Sequence, residues 1–108
     1  MNNPEYSLTS RRSVKRLLAD RHRIAAARGS DTVASDILLD LHAAIDTADL
    51  TDRQAEAIAI VYGMDTSQSV AARIMGVSQP AVAILIDSAA AKIRDAYLRK
   101  GEGAGSKQ

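Results

Sequence analysis

A serine and a glutamine near residue 78 carry the most useful chemistry in this sequence. Ser78 stands at the predicted start of a helix, where its hydroxyl and the free backbone amides can hold a phosphate. Gln79 follows it, and a glutamine amide can form two hydrogen bonds with the edge of an adenine. Pro80 and Ala83 lie further along the same predicted face, and Ala83 can contact a thymine methyl group. These residue types at the start of one helix predict contact with the bases and phosphates of DNA.

Basic residues near the N terminus supply a second set of candidate contacts. The net charge of +1 conceals a segregation into +5 over residues 1–30, −7 over residues 31–65 and +3 over residues 66–108. In one interpretation the two basic ends bind a polyanion, and the acidic middle faces away from it. The alternative is that the basic and acidic helices pair in a hairpin through ion pairs. The candidate phosphate contacts are Arg11, Arg12, Lys15 and Arg16.

Catalytic and metal chemistry find little support in the sequence. There is no cysteine, which excludes a thiolate nucleophile and a cysteine-based zinc site. The two histidines, His22 and His42, lie on different predicted helices, and His42 with Asp46 provides two metal ligands at most. The sequence also lacks a phosphate-binding loop, which would require a glycine-rich segment directly after a strand. We therefore expect no enzyme activity, no metal and no cofactor.

The composition predicts a single all-helical domain. The 108 residues include 20 alanines and only three aromatic residues, all tyrosine, and alanine favours helices over strands. The longest apolar run, Ala81 to Ile86, is too short to span a membrane, and the first ten residues lack an apolar segment. We expect a cytoplasmic protein without membrane contact.

Capping and stop residues divide the chain into five predicted helices. Predicted caps are Thr9 or Ser10, Ser30 or Asp31, Thr51 with Gln54 in a capping box, Thr66 or Ser67, and Ser78. The predicted helices lie near 11–28, 31–48, 52–62, 67–75 and 79–99. The predicted organisation is a flexible arm (1–9), a helical hairpin (10–49), a helix-turn-helix domain (50–100) and a disordered tail (101–108).

Apolar spacing predicts which side chains are buried. The predicted hairpin seam consists of Leu17, Ile24, Ile37, Leu41 and Ile45. The predicted inward stripe of the last helix consists of Val82, Leu85, Ala89 and Ile93, with Ile86 at its margin. Ile84 should face outward.

The stretch from Val70 to Val82 has the composition of a helix-turn-helix. Such a motif needs a small residue where the helices cross, a glycine in the turn, an apolar plug, a hydroxyl cap and a β-branched residue that packs back. The sequence supplies them at suitable offsets, as Ala72, Gly76, Val77, Ser78 and Val82.

Residues Leu50 to Tyr97 resemble the promoter-reading C-terminal domain of bacterial sigma factors. The shared features are the LTDRQ start, the apolar helix ending in Tyr62-Gly63, and the Gly76-Val77-Ser78 turn followed by a long helix. The resemblance implies a helix-turn-helix fold that reads the major groove, as in small phage or mobile-element regulators. Sigma factors carry Arg, Glu and Gln on the exposed face of this helix, and here only Gln79 retains such a side chain.

The sequence therefore favours a DNA-binding transcriptional regulator that acts as a homodimer on double-stranded DNA. Two alternatives stay open. One is an interaction module that docks on RNA polymerase or another factor through its apolar helix face and acidic middle. The other is the DNA-recognition subunit of a phage packaging complex.

Overall fold

The computed structural model describes residues 8–27 and 32–106, and in that part of the chain it contains five helices and no strand. The all-helical prediction is confirmed. Residues 1–7 of the predicted arm and the predicted caps Ser30 and Asp31 lie outside the described residues. The helices are α1 (Arg11–Ala27), α2 (Thr32–Thr47), α3 (Asp52–Ile58, continued by a π-helical turn over Ala59–Gly63), α4 (Gln68–Met75) and α5 (Gln79–Ser106).

Hydroxyl side chains cap α1, α3 and α4 as their positions in the sequence predict. The Ser10 hydroxyl accepts a hydrogen bond from the Ser13 amide at 3.1 Å and so begins α1. Thr51 accepts from the Gln54 amide at 3.1 Å while the Gln54 side chain accepts from the Thr51 amide at 3.0 Å. This reciprocal pair is the predicted capping box. Ser67 caps α4 through the Val70 amide at 3.1 Å.

The end of α3 differs from the predicted regular helix. Its last five residues form a π turn, in which the Met64 amide donates to the Ala59 carbonyl at 3.0 Å. The Thr66 hydroxyl donates to the Ile60 carbonyl at 2.8 Å and satisfies a carbonyl near the helix end. Burial of the Tyr62 phenol in this turn raises its pKa above the usual value.

Helix α5 is the centre of the fold because it packs against each of the other four helices. One hydrophobic core joins all of these contacts. The predicted seam between α1 and α2 lies within it, with Leu17, Ile24 and Leu41 buried and Ile37 and Ile45 partly buried. The largest side chains that are fully enclosed are Val14, Leu17, Leu18, Leu41, Val82, Ile86 and Ile93.

Two details of α5 correct the sequence analysis. Ile86 is fully buried and Leu85 only partly, so the inward stripe runs through Val82, Ile86 and Ala89. The buried face is rotated in this way because α5 must contact helices on several sides at once. Its helix also continues to Ser106, where a disordered tail from residue 101 was expected. Extending an existing helix costs far less than starting one, which offsets the poor helix propensity of the tail glycines.

No single helix in the described part of the chain is long and apolar enough to cross a membrane, although α4 and α5 up to Arg99, joined by a sharp bend, meet that requirement together by length and composition.

Candidate nucleic-acid interface

Helices α4 and α5 meet at a short, sharply bent turn. The chain changes direction by 102° between them, across Gly76, Val77 and Ser78. Gly76 has φ +71° and ψ +32°, a left-handed conformation that glycine adopts without a Cβ clash. The amide of Val77 donates to the Ala72 carbonyl at 3.0 Å and closes the end of α4. The turn is therefore fixed by backbone hydrogen bonds as well as by packing.

Small and β-branched residues allow the two helices to approach each other. Ala71 and Ala72 of α4 are buried, and Val82 of α5 is completely enclosed. Val77 in the turn is partly buried against the same core. The guanidinium of Arg53 in α3 donates to the Met75 carbonyl at 3.2 Å, which satisfies one of the last carbonyls of α4. Ala72 and Val82, predicted at the helix crossing, are thus buried, and Val77, the predicted plug, is partly buried.

The N-terminal end of α5 projects into solvent. Ser78, Gln79 and Pro80 are all exposed. The Ser78 hydroxyl oxygen accepts a hydrogen bond from the Ala81 amide at 3.2 Å, and its own proton remains able to donate to an anion. Pro80 has no amide proton, which costs nothing in the first turn of a helix. This end of α5 offers backbone dipoles and a hydroxyl donor to an approaching phosphate.

Gln79 is held by a neighbour that sequence reasoning did not identify. Its side-chain amide nitrogen donates to the amide oxygen of Gln68 at 2.7 Å. One proton and the oxygen of the Gln79 amide are left to face solvent, and these are the donor and acceptor that an adenine edge requires. Gln68 opens α4, eleven residues earlier in the chain, so only the bent turn brings the two glutamines together.

The outer face of α5 beyond its first turn is apolar. Ile84 is 66% exposed, and the partly buried Ala83 precedes it. Ile74 of α4 is 54% exposed. Neither Ala83 nor Ile84 carries a polar side-chain group, so the hydrogen-bonding side chains at this end of α5 are those of Ser78 and Gln79. Exposed isoleucines also offer contacts to a thymine methyl group or to another protein.

The N-terminal part of α1 lies beside α5. Arg11 Nη1 is 2.8 Å from Asp87 Oδ2, and Lys15 Nζ is 3.3 Å from Asp87 Oδ1. Asp87 lies eight residues after Gln79, or about 12 Å along the helix axis. The structure thus brings two of the four predicted basic residues to the same helix as the predicted base-reading residue, and both contact one carboxylate.

The other two basic residues lie on a different side of α1. Helical spacing places Arg12 and Arg16 away from the buried Val14 and Leu18, and both are exposed. Arg16 Nε is 3.4 Å from Asp20 Oδ2 within α1. Arg12 has no carboxylate within ion-pair distance in the described part of the chain, so among the four predicted basic residues its charge is the most available to a phosphate.

Arg73 is a further exposed cation that the sequence analysis did not include. It lies on α4, the helix that precedes the turn, and makes no ion pair with another described residue. A basic residue at this place is a natural phosphate contact when the following helix enters a groove. Its position in the first helix of the predicted motif was the signal that could have identified it.

The acidic middle of the chain forms a solvated surface. Asp36, Asp40 and Asp46 of α2 are exposed, as is His42. Among the described side chains, no group of three or more His, Asp or Glu residues could hold a metal ion. The acidic surface therefore has no organised ligand set in that part of the chain.

Comparisons of the chain with protein-family models, with curated proteins and with solved structures find no match. The resemblance to sigma-factor C-terminal domains remains a prediction from the motifs between Leu50 and Tyr97. The chemistry of the interface follows from its geometry and charge.

Proposed function

We propose that the protein is a sequence-specific DNA-binding transcriptional regulator, of the type found in phages and mobile elements, that reads the major groove with the start of α5. In this proposal α4 and α5 form a helix-turn-helix joined to a helical hairpin of α1 and α2. Gln79 contacts a base, and Ser78 contacts a phosphate. Arg12 and Arg16 contact phosphates that flank the groove, and Arg11 and Lys15, nearer to α5, can do so when they leave Asp87.

The geometry of the α4–α5 turn is the observation that carries the proposal. A bend of 102° lies within the range in which a helix-turn-helix presents its second helix to the major groove. Gln79 and Pro80, the first two residues of α5, are exposed, and the Gln79 side chain is held by its hydrogen bond to Gln68. In such motifs the N-terminal residues of the second helix contact the base edges.

Self-association follows from the small number of polar contacts that one copy can make. A single recognition helix in which only Gln79 contacts a base discriminates poorly between DNA sites. A two-fold dimer doubles the number of base contacts. The homodimer in this proposal binds half-sites about one helical turn, or roughly 34 Å, apart.

A mobility-shift titration tests the proposal. The probe is the duplex that flanks the protein's own coding region, and the competitor is an unrelated duplex of equal length. The proposal predicts a complex that survives excess competitor and weakens steeply as salt rises. Failure to retard any fragment, or equal competition by the unrelated duplex, contradicts sequence-specific binding.

We expect Arg12→Gln to weaken binding to all duplexes alike, because the exposed Arg12 guanidinium contacts the backbone and carries no sequence information. The slope of log K against log salt should flatten by about one unit. Arg12→Lys preserves the charge and serves as the control, with a slope close to that of the wild type. A slope unchanged by Arg12→Gln would remove this residue from the interface.

A second candidate function rests on the exposure of Ile74 and Ile84. In this alternative the outer face of α5 docks on RNA polymerase or another factor, and DNA contact is minor. Ile84→Asp should then abolish binding to the partner protein, and Gln79→Ala should leave that binding unchanged. An apolar contact should also resist salt, whereas phosphate contacts should not. If α5 instead reads DNA, Gln79→Ala should lose more affinity for the cognate duplex than Ile84→Asp does.

A further inference from the structure

Two basic residues of α1, Arg11 and Lys15, contact the carboxylate of Asp87. The two cations use different oxygens of the same carboxylate, at 2.8 Å and 3.3 Å. The three side chains remain between 39% and 52% exposed, so an external anion can reach them. Arg11 and Lys15 belong to α1, and Asp87 belongs to α5, so the contact joins the basic segment to the predicted recognition helix.

We propose that Asp87 limits non-specific DNA binding by occupying Arg11 and Lys15, which would otherwise contact phosphates. This inference rests on the proposed function. A carboxylate offers two oxygens to a pair of cations much as a phosphate does, so Asp87 and a backbone phosphate compete for the same donors. The net charge of the three groups is +1, compared with +2 for the two cations alone. Fewer phosphate contacts on an unrelated sequence mean weaker non-specific binding, whereas base contacts by Gln79 are unaffected.

Stability does not require this contact. Exposed ion pairs contribute little to stability, since solvent screens the charges and side-chain conformational freedom is lost when the pairs form. The helices on both sides are already held by the enclosed residues Val14, Leu18 and Ile86. The contact between α1 and α5 is therefore more important for DNA binding than for folding in this proposal.

The experiment compares Asp87→Asn with Asp95→Asn. Both substitutions remove one negative charge from α5, but Asp95 pairs with the adjacent Arg94, at 2.9 Å, on α5 itself. We expect Asp87→Asn to bind a short duplex of unrelated sequence several-fold more tightly than Asp95→Asn. Its salt slope should be steeper by about one to two units, because two cations become available to phosphates. Affinity for the cognate duplex should rise by a similar factor, because phosphate contacts carry no sequence information. Arg11→Gln in the Asp87→Asn background should reverse part of both gains.

Each other outcome has a definite meaning. Equal affinities and salt slopes for Asp87→Asn and Asp95→Asn, with a wild type that still discriminates its site, would overturn the inference alone. Weaker binding by Asp87→Asn than by the wild type would also overturn it, since Asp87 would then orient the cations toward DNA. Absence of duplex binding by all three proteins would overturn the proposed function and this inference together.

Discussion

Replacing Leu41 with aspartate should destabilise the protein by several kcal/mol. Leu41 is completely enclosed between α2 and the rest of the core, and the new carboxylate would have no partner there. The lost apolar contacts and the unpaired buried charge together cost about 4 kcal/mol or more. Domains of this size are stable by about 5–15 kcal/mol, so the loss is a large fraction of the total. Thermal denaturation followed by circular dichroism should show a midpoint lower by about 15 °C or more.

Leu39→Asp is the matched control for this substitution. Leu39 lies two residues away on α2 and is 63% exposed, so the same chemical change there meets solvent. We expect its stability to lie within about 0.5 kcal/mol of the wild type. If both variants melt alike, α2 does not bury the face that contains Leu41.

Gln79→Ala should reduce affinity for the cognate duplex by about 1–3 kcal/mol, because a bidentate amide–adenine contact is lost. That loss corresponds to roughly a five- to 150-fold rise in Kd. The exposed Gln79 side chain has no role in the core, so the variant should fold normally. Its affinity for an unrelated duplex should stay unchanged, since phosphate contacts are intact. Competition titrations with both duplexes measure the two affinities.

Gln68→Ala separates the orientation of Gln79 from its chemistry. This variant retains the Gln79 amide but removes the 2.7 Å hydrogen bond through which Gln68 holds that amide. We expect a smaller loss on the cognate duplex than for Gln79→Ala, because the amide must then be ordered during binding. A cognate affinity that is unaffected by Gln79→Ala would exclude direct readout by this residue and favour the docking alternative.

Local features of the fold could be predicted because they depend on neighbouring residues. The capping box at Thr51 and Gln54 needs a hydroxyl and an amide three residues apart, and the structure contains both hydrogen bonds. Gly76 marks a left-handed turn because other residues are strained there. The exposure of Ile84 likewise followed from helical spacing within α5.

Features that depend on the arrangement of several helices could not be predicted in this way. Whether Leu85 or Ile86 is enclosed depends on how α1, α2, α3 and α4 are distributed around α5, which periodicity within one helix does not specify. The Asp87 contacts span more than seventy residues of sequence. Gln68 and Gln79 meet only because the turn bends sharply. The π turn at Ala59–Gly63 also has no clear signature in the residue pattern.

The salt-dependent affinity of the wild-type protein for its cognate duplex and for a scrambled duplex tests the central claim most directly. If α5 reads DNA, the cognate duplex should bind at least about 10³-fold more tightly than the scrambled one. Both affinities should fall as salt rises, with a slope near −0.9 for each phosphate contact, as counterions are released. Equal affinities for the two duplexes, or binding that does not respond to salt, would contradict sequence-specific recognition by this helix.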